Sequence, residues 1–275
     1  MDVLISVDME GVAGVATRRQ VMPGEADYPV GRALMTAEAN AAVAGAFDGG
    51  ATSVVVNDSH GPMDNLLGEE LDPRADYVVG SPKPLEMVQE ATAETGVALF
   101  VGYHAGAGDP AGVLAHTYSS AAFADVRLNG RPLTEAELNG LVLATAGVPV
   151  GLVSGDDVIC GVAERALPGL VTVPVKTALG RTAARSRHPA AARDAIRAGA
   201  ARAVAKATSG ALRPAAIPSE LMVEAELRPH GAAELAARVP GTTRVGVRTV
   251  CRAMADPREM LDVLVVWSTL TSQYH

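Results

Sequence analysis

The chain has 275 residues, of which 48 % are hydrophobic, 20 % charged and 3 % aromatic. Such a length and balance can bury a sizeable core as one large domain or two lobes, and they exclude a disordered chain. A formal net charge of −8 disfavours nucleic acid and anionic membrane surfaces as partners, and with no bilayer-long apolar run or signal-type segment, a cytoplasmic protein is expected.

The first predicted element is an apolar strand that runs out at Ser6-Val7-Asp8-Met9-Glu10-Gly11. In extended backbone, residues i and i+2 share a face, so Asp8 and Glu10 can reach one cation, or one ion each of a pair. Residues 11–30 read as a Gly/Pro-containing loop and 31–48 as a helix with Leu34, Ala41, Val43, Ala44 and Phe47 among its apolar positions. A strand at 52–57 leads into Asp58-Ser59-His60-Gly61, where Asp58 either orients the His60 ring or closes an Asx turn. A helix is expected at 83–94, and a strand at 97–103 leads into His104-Ala105-Gly106. Short β-rich runs of this kind read as buried parallel strands joined by right-handed crossovers.

Farther along, 123–133 reads as a hairpin turning at Asn129-Gly130. The helix near 135–146 opens with Thr134 and Glu137 at capping-box spacing, which leaves Glu135 free to project toward the strand ends. A strand at 148–153 ends in Ser154-Gly155-Asp156-Asp157, aspartates better read as the next helix's N-cap than as groups facing a substrate. Leu170–Val175 reads as another strand, and 181–216, rich in Ala and Arg, as a long helix with its approach and a solvated or intersubunit face. A smaller lobe then offers a strand at 219–227, a helix at 231–239, a strand at 244–250 and a final helix opened by Asp256-Pro257 that runs through Trp267. The expected fold is three-layer α/β/α with a mostly parallel sheet plus a smaller C-terminal α+β lobe, divided into 1–180, carrying the metal site, and 181–275. The two cysteines, Cys160 and Cys251, lie far apart in apolar surroundings and read as small buried residues rather than a disulfide or a zinc knuckle.

In open α/β sheets the ligand crevice lies beyond the carboxyl ends of the strands. The strand ends therefore deliver Asp8, Glu10, His60 and His104 to one rim, a donor set that suits zinc, manganese or cobalt better than magnesium or calcium. His116, past His104 and a Gly/Pro-rich loop, is a candidate pocket imidazole that shuttles a proton or braces a tetrahedral intermediate. His188, His230 and His275 read as exposed structural positions.

The segments SVDMEG (6–11), VNDSHG (56–61), GYHAGAG (102–108), GVLAHTY (112–118) and NGRPLTEAELN (129–139) resemble the DppA-type D-aminopeptidases, whose hallmark is S-x-D-x-E-G. MTAEAN (35–40), the SGDD segment (154–157) and the terminal helix continue the resemblance in order, so it covers most of the chain. It implies a binuclear zinc peptidase that removes N-terminal D-amino acids from short peptides through a metal-bound hydroxide, assembled as a ring-shaped homodecamer with shielded sites. It places two zinc ions per chain, with manganese or cobalt as substitutes, on Asp8, Glu10, His60, His104 and Glu135, and it makes His116 catalytic, with acid/base action preferred over covalent attack. The segments between His104 and His116 and between His116 and Glu135 are each slightly longer than the family pattern, which bears on fine specificity. Competing readings are another metal-dependent amidohydrolase or a non-catalytic peptide-binding component of a dipeptide uptake system. No phosphate-cradling loop supports phosphoester cleavage, and five ligands with an accessible histidine exceed a closed four-coordinate structural site.

Overall fold

Strand β1 (Asp2–Val7) is buried at every position after Asp2, as a near-continuous apolar run must be when other layers cover both its faces. The structure, a computed structural model, describes residues 1–274, so His275 lies outside the described residues. After β1 come α1 (Arg18–Val21), α2 (Tyr28–Asp48), β2 (Ser53–Asp58), β3 (Asp76–Val78), β4 (Thr95–Tyr103), β5 (Phe123–Leu128), β6 (Arg131–Pro132), α3 (Glu135–Ala144), β7 (Val150–Asp156), α4 (Asp157–Ala166), β8 (Val171–Gly180) and β9 (Ala183–Ser186). The chain closes with α5 (Pro189–Thr208), β10 (Leu221–Leu227), α6 (Ala232–Ala236), β11 (Thr243–Arg244), β12 (Thr249–Met254) and α7 (Arg258–Thr271).

The main sheet has seven strands in the order β3-β2-β1-β4-β7-β8-β9, and every neighbouring pair is parallel except β8 with β9. From β1 the chain moves outward through β2 and β3 on one side, then through β4, β7 and β8 on the other. The direction switches between β1 and β4, where an open sheet leaves a crevice at its carboxyl edge. On one face Val3, Ile5 and Val7 of β1 share a core with Val43 of α2 and Val204 of α5. On the other, Leu4 and Phe100 share a core with Leu138 of α3, Ile159 of α4 and Trp267 of α7. Each fully buried Val, Leu or Phe in these clusters contributes about 1.5–3 kcal/mol.

The expected three-layer architecture is therefore present, with a smaller antiparallel sheet of five strands ordered β11-β12-β10-β5-β6 beside it. That sheet takes the 123–132 hairpin from the first half of the chain and pairs it with β10, whereas α5 packs on the main sheet. No helix among the described residues is long and apolar enough to cross a membrane.

Several local expectations are corrected. The helix expected at 83–94 is only a 3-10 turn, Glu86–Val88, because Glu86 and Glu90 have φ of 45° and 73°, which a right-handed helix does not tolerate. The loop at 11–30 contains α1 and the start of α2, which Pro29 opens early. Within 181–216 the long helix is α5, Pro189–Thr208, and its approach contains an unexpected strand, β9, turning back onto β8. Two strands, β11 and β12, stand where one was expected at 244–250. The exposed edge strand β3 has no counterpart among the expected elements.

Candidate metal centre

The loop after β1 is bonded sideways onto β4. Asp8 N donates to Val101 O at 2.8 Å and Gly11 N to Gly102 O at 2.7 Å. A Cβ on Gly11 would come 2.0 Å from Tyr103 O, and one on Gly102, at φ +71°, would come 2.2 Å from Asp8 O. The glycine of the S-x-D-x-E-G segment is thus required by backbone approach, and it lets Asp8 and Glu10 sit beside the strand that carries His104. From β8 the buried Lys176 ammonium donates to the carbonyls of Glu10, Val12 at 3.1 Å and Val15 at 2.6 Å, pinning the same loop from beneath. Burial lowers its pKa to about 8.

Of the two readings of Asp58, the turn is the one found. Its carboxylate accepts from the amides of His60, Asn65 and Leu66 and from the Asn65 side chain, so it folds the loop beyond β2 without touching the His60 ring. The ring is oriented instead by the main-chain carbonyl of Val21, which takes Nε2–H at 2.7 Å. Its Nδ1 then faces Glu10 Oε2 at 2.9 Å and Asp8 Oδ1 at 3.2 Å.

The same pattern recurs at His104 and His116. His104 Nδ1 donates to Ala105 O at 2.9 Å, and its Nε2 lies 3.2 Å from Asp8 Oδ2 and 3.6 Å from Glu135 Oε2. His116 Nδ1 donates to Leu114 O at 2.9 Å, and its ring stacks on His104 with centroids 4.1 Å apart. Each imidazole thus ties one nitrogen to a main-chain oxygen and leaves the other for the cluster, the arrangement by which histidine ligands are usually held. Although close in space, buried Asp8 Oδ2 and His104 Nε2 form no aligned hydrogen bond. Buried polar atoms are otherwise almost always satisfied, so a cation fits this donor set. Two trios of donor atoms, Asp8–Glu10–His104 and His104–His116–Glu135, each lie within 4.8 Å of one another and could each hold an ion.

Glu135 arrives by the cap logic expected for α3. Thr134 Oγ1 accepts from Glu137 N at 3.1 Å while Glu137 Oε2 accepts from Thr134 N at 3.0 Å. Glu135 is left to accept from Tyr118 N at 2.6 Å through Oε1 and to face His104 through Oε2. The N-cap reading of Asp156 also holds: it accepts from Ile159 N at 2.9 Å, and its other oxygen accepts from Val113 N at 2.8 Å. His188 caps α5 through Ala190 N, and His230 is exposed.

The electrostatics are those of a crowded anionic site. Burial works against the Asp8 carboxylate, yet His104 and His60 beside it hold its pKa well below the usual carboxylate range. Burial pushes Glu135 up to about 7. Against burial, the charges of Glu135 and Asp8 raise His104 to about 10, and those of Glu10 and Asp8 raise His60 well above its ordinary value. Protons on these rings do the balancing that a bound cation would do, since ligand imidazoles must give up their protons to bind metal. His116 goes the other way, down to about 4, through burial and the neighbouring His104.

Above the cluster lies a cavity of about 870 Å³ lined by Asp8, Glu10, His60, His116 and Glu135, with Arg18, Arg181 and Arg228 also on its wall. All six residues singled out from sequence, Asp8, Glu10, His60, His104, His116 and Glu135, thus meet at one place. Sequence reasoning missed the Val21 carbonyl, the Tyr118 amide, Lys176 and the cavity residue Glu86. Backbone donors and acceptors have no sequence signature, but a lone lysine in the apolar strand β8 was a signal that could have been read.

A parallel α/β sheet with carboxylates and imidazoles at its switch point, open to a cavity, is the arrangement of a metal-dependent hydrolase. The chain belongs to the peptidase M55 family: the D-aminopeptidase profile of that family matches residues 1–266. It is 36 % identical over 280 aligned positions to a D-aminopeptidase of Bacillus subtilis strain 168, covering 98 % of this chain and 97 % of that one. Its structure is similar to that of the Zn-dependent D-aminopeptidase DppA from Bacillus subtilis, a self-compartmentalizing protease, with a TM-score of 0.91, 35 % identity and coverage of 99 % and 98 % of the two chains.

Proposed function

We propose that this protein is a zinc-dependent D-aminopeptidase that hydrolyses N-terminal D-amino acids from short peptides. The observation that carries the reading is the set of imidazoles that each give one N–H to a main-chain oxygen and turn the other nitrogen to Asp8, Glu10 and Glu135, leaving Asp8 Oδ2 and His104 Nε2 unsatisfied. In this reading Asp8, Glu10, His60, His104 and Glu135 would hold two zinc ions, Asp8 presenting Oδ1 on the side of His60 and Oδ2 on the side of His104. Zinc held there supplies Lewis acidity, polarising the scissile carbonyl and making water nucleophilic near neutral pH. His116 is neutral at neutral pH; with Nδ1–H fixed on Leu114 O, its Nε2 takes up a proton from the attacking water and returns it to the leaving amine. Glu10 and Glu135 contribute negative field where a free α-ammonium must approach.

Turnover of D-Ala-containing dipeptides against their L-isomers tests the reading. The D-peptides should be cleaved and the L-isomers far more slowly. Chelation should abolish activity, and zinc, manganese or cobalt should restore it. Bound transition metal absent from the purified protein, with activity indifferent to chelator, would refute it.

We further propose a closed homo-oligomer, in the form of a decameric ring, whose walls shield the sites. The family relationship supports it, and closed symmetry is the rule for homo-oligomers. Light scattering should give a mass many times the 28.1 kDa chain, and a fully active monomer would overturn the shielded arrangement. A cytoplasmic location is consistent with both cysteines being free.

A further inference from the structure

The tip of the β8–β9 hairpin closes on the loop that presents His116. Gly180 pairs with Ala183, so Arg181 and Thr182 form a two-residue turn, and both line the cavity above the cluster. Arg181 O accepts from Leu114 N at 2.8 Å, and Arg181 Nη1 donates to Ala115 O at 2.7 Å. Leu114, at φ of 52°, gives its own carbonyl to the Nδ1–H of His116. The guanidinium is thereby fixed against the residue that precedes His116, and covalent geometry places Nη1 no farther than about 10 Å from His116 Nε2.

Arg181 has more N–H groups than this contact uses. A guanidinium carries five in a planar fork, one of them rests on Ala115 O, and among the described residues no carboxylate pairs with the others. An arginine held by a main-chain oxygen rather than by an acid keeps its charge for a ligand. That charge stands apart from the floor of the same cavity, where Asp8, Glu10 and Glu135 favour an ammonium and repel a carboxylate. A free short peptide carries both charges, so its anionic end needs a cation on the wall. Arg18 and Arg228 also line the cavity, but Arg228 Nε is bonded to Ser120 O at 2.8 Å, and only Arg181 is tied beside His116.

The reach matches the leaving half of a dipeptide. In that residue the carboxylate oxygens lie about 3–4 Å from the nitrogen released by hydrolysis. A proton donor reaches that nitrogen over about 3 Å, and a guanidinium–carboxylate bond adds about as much at the other end. These lengths cover the interval between His116 Nε2 and the Arg181 fork. Resting on the reading of the chain as an aminopeptidase in which His116 serves the leaving amine, we propose that Arg181 receives the C-terminal carboxylate of the departing residue. The enzyme thereby favours peptides whose free C-terminus lies one residue beyond the cleaved bond.

The test uses the zinc-loaded protein and the variants Arg181→Gln and Arg181→Lys. Two substrates, D-Ala-D-Ala and its C-terminal amide, differ only in the carboxylate and are compared through kcat and KM. Zinc content and melting temperature are measured alongside. Ligand-observed NMR titration follows the uncleavable dipeptide in which a methylene replaces the scissile carbonyl, as acid and as amide. Wild type should prefer the acid about tenfold in kcat/KM, mostly through KM, the size of one charged hydrogen-bonded contact. Arg181→Gln should bring the acid-to-amide ratio close to one, for cleavage and for binding, with zinc content and melting temperature unchanged. Loss of the Ala115 bond falls on both substrates alike, so the ratio isolates the carboxylate. Arg181→Lys, which keeps the charge without the fork, should lie between. A wild-type ratio near one, a ratio unaltered in Arg181→Gln, or a ratio lost in Arg228→Gln instead would overturn the proposal, as would loss of zinc from Arg181→Gln. A wild-type protein that binds the uncleavable acid better than its amide through Arg181, yet cleaves no D-peptide, would uphold the carboxylate site and refute the hydrolase reading instead.

Discussion

Replacing Glu135 by alanine is expected to strip the protein of part or all of its zinc and to abolish nearly all hydrolysis while the chain stays folded. Glu135 sits at the first position of α3, 4 % exposed, with one oxygen on the Tyr118 amide and the other 3.6 Å from His104 Nε2. Burial raises its pKa to about 7, so in this site the charged form needs a positive neighbour to persist. That makes it a poor structural anchor and a good cation donor. Deleting it leaves the cap of α3 whole, because the cap bonds run between Thr134 and Glu137 and none involves the Glu135 side chain. Glu137→Ala is the matched control. It should cost about 1 kcal/mol of stability, as the loss of a helix cap does, and leave zinc content and turnover near wild type. Elemental analysis and thermal melting of the two variants separate the roles. If Glu137→Ala is the variant that empties the site, the acidic donor has been assigned half a helical turn too early.

The parts of this centre that could be read from sequence are those set by local rules. Asp8 and Glu10 follow from the two-residue period of a strand, His60 and His104 from runs of β-branched residues that end in polar groups, and Glu135 from a capping box. The parts that escaped depend on distant chain. The segment around Glu86 has the apolar content of a helix, yet Asn57 Nδ2 takes the Glu86 carbonyl and the chain stays a 3-10 turn. Strand β5 finds its partner in β10, nearly a hundred residues on, so its hairpin joins a sheet that no local pattern announces. The Val21 and Leu114 carbonyls orient two of the imidazoles, and any residue type would supply the same oxygen.

His116→Ala should lower turnover by about 10²- to 10⁴-fold, the range for a general acid/base, with KM and zinc content close to wild type. Two observations argue for that role over metal binding. The ring lies flat against His104, 8° from parallel at 4.1 Å, so His104 and the carboxylates already form an unsatisfied cluster without it. Its pKa is depressed to about 4 by burial and by His104, so at neutral pH it is a free base that need lose no proton before acting. The sign of the pH effect follows. Activity should hold from neutral pH downward until His116 begins to take up a proton, and it should fail as pH drops toward its pKa. A ligand would behave otherwise, because its substitution empties a zinc position and the remaining activity tracks added metal. Added imidazole decides between the two: partial recovery of turnover in the zinc-replete variant supports proton transfer at Nε2. Loss of zinc together with activity would move His116 into the trio it forms with His104 and Glu135, whose donor atoms lie within 4.8 Å of one another.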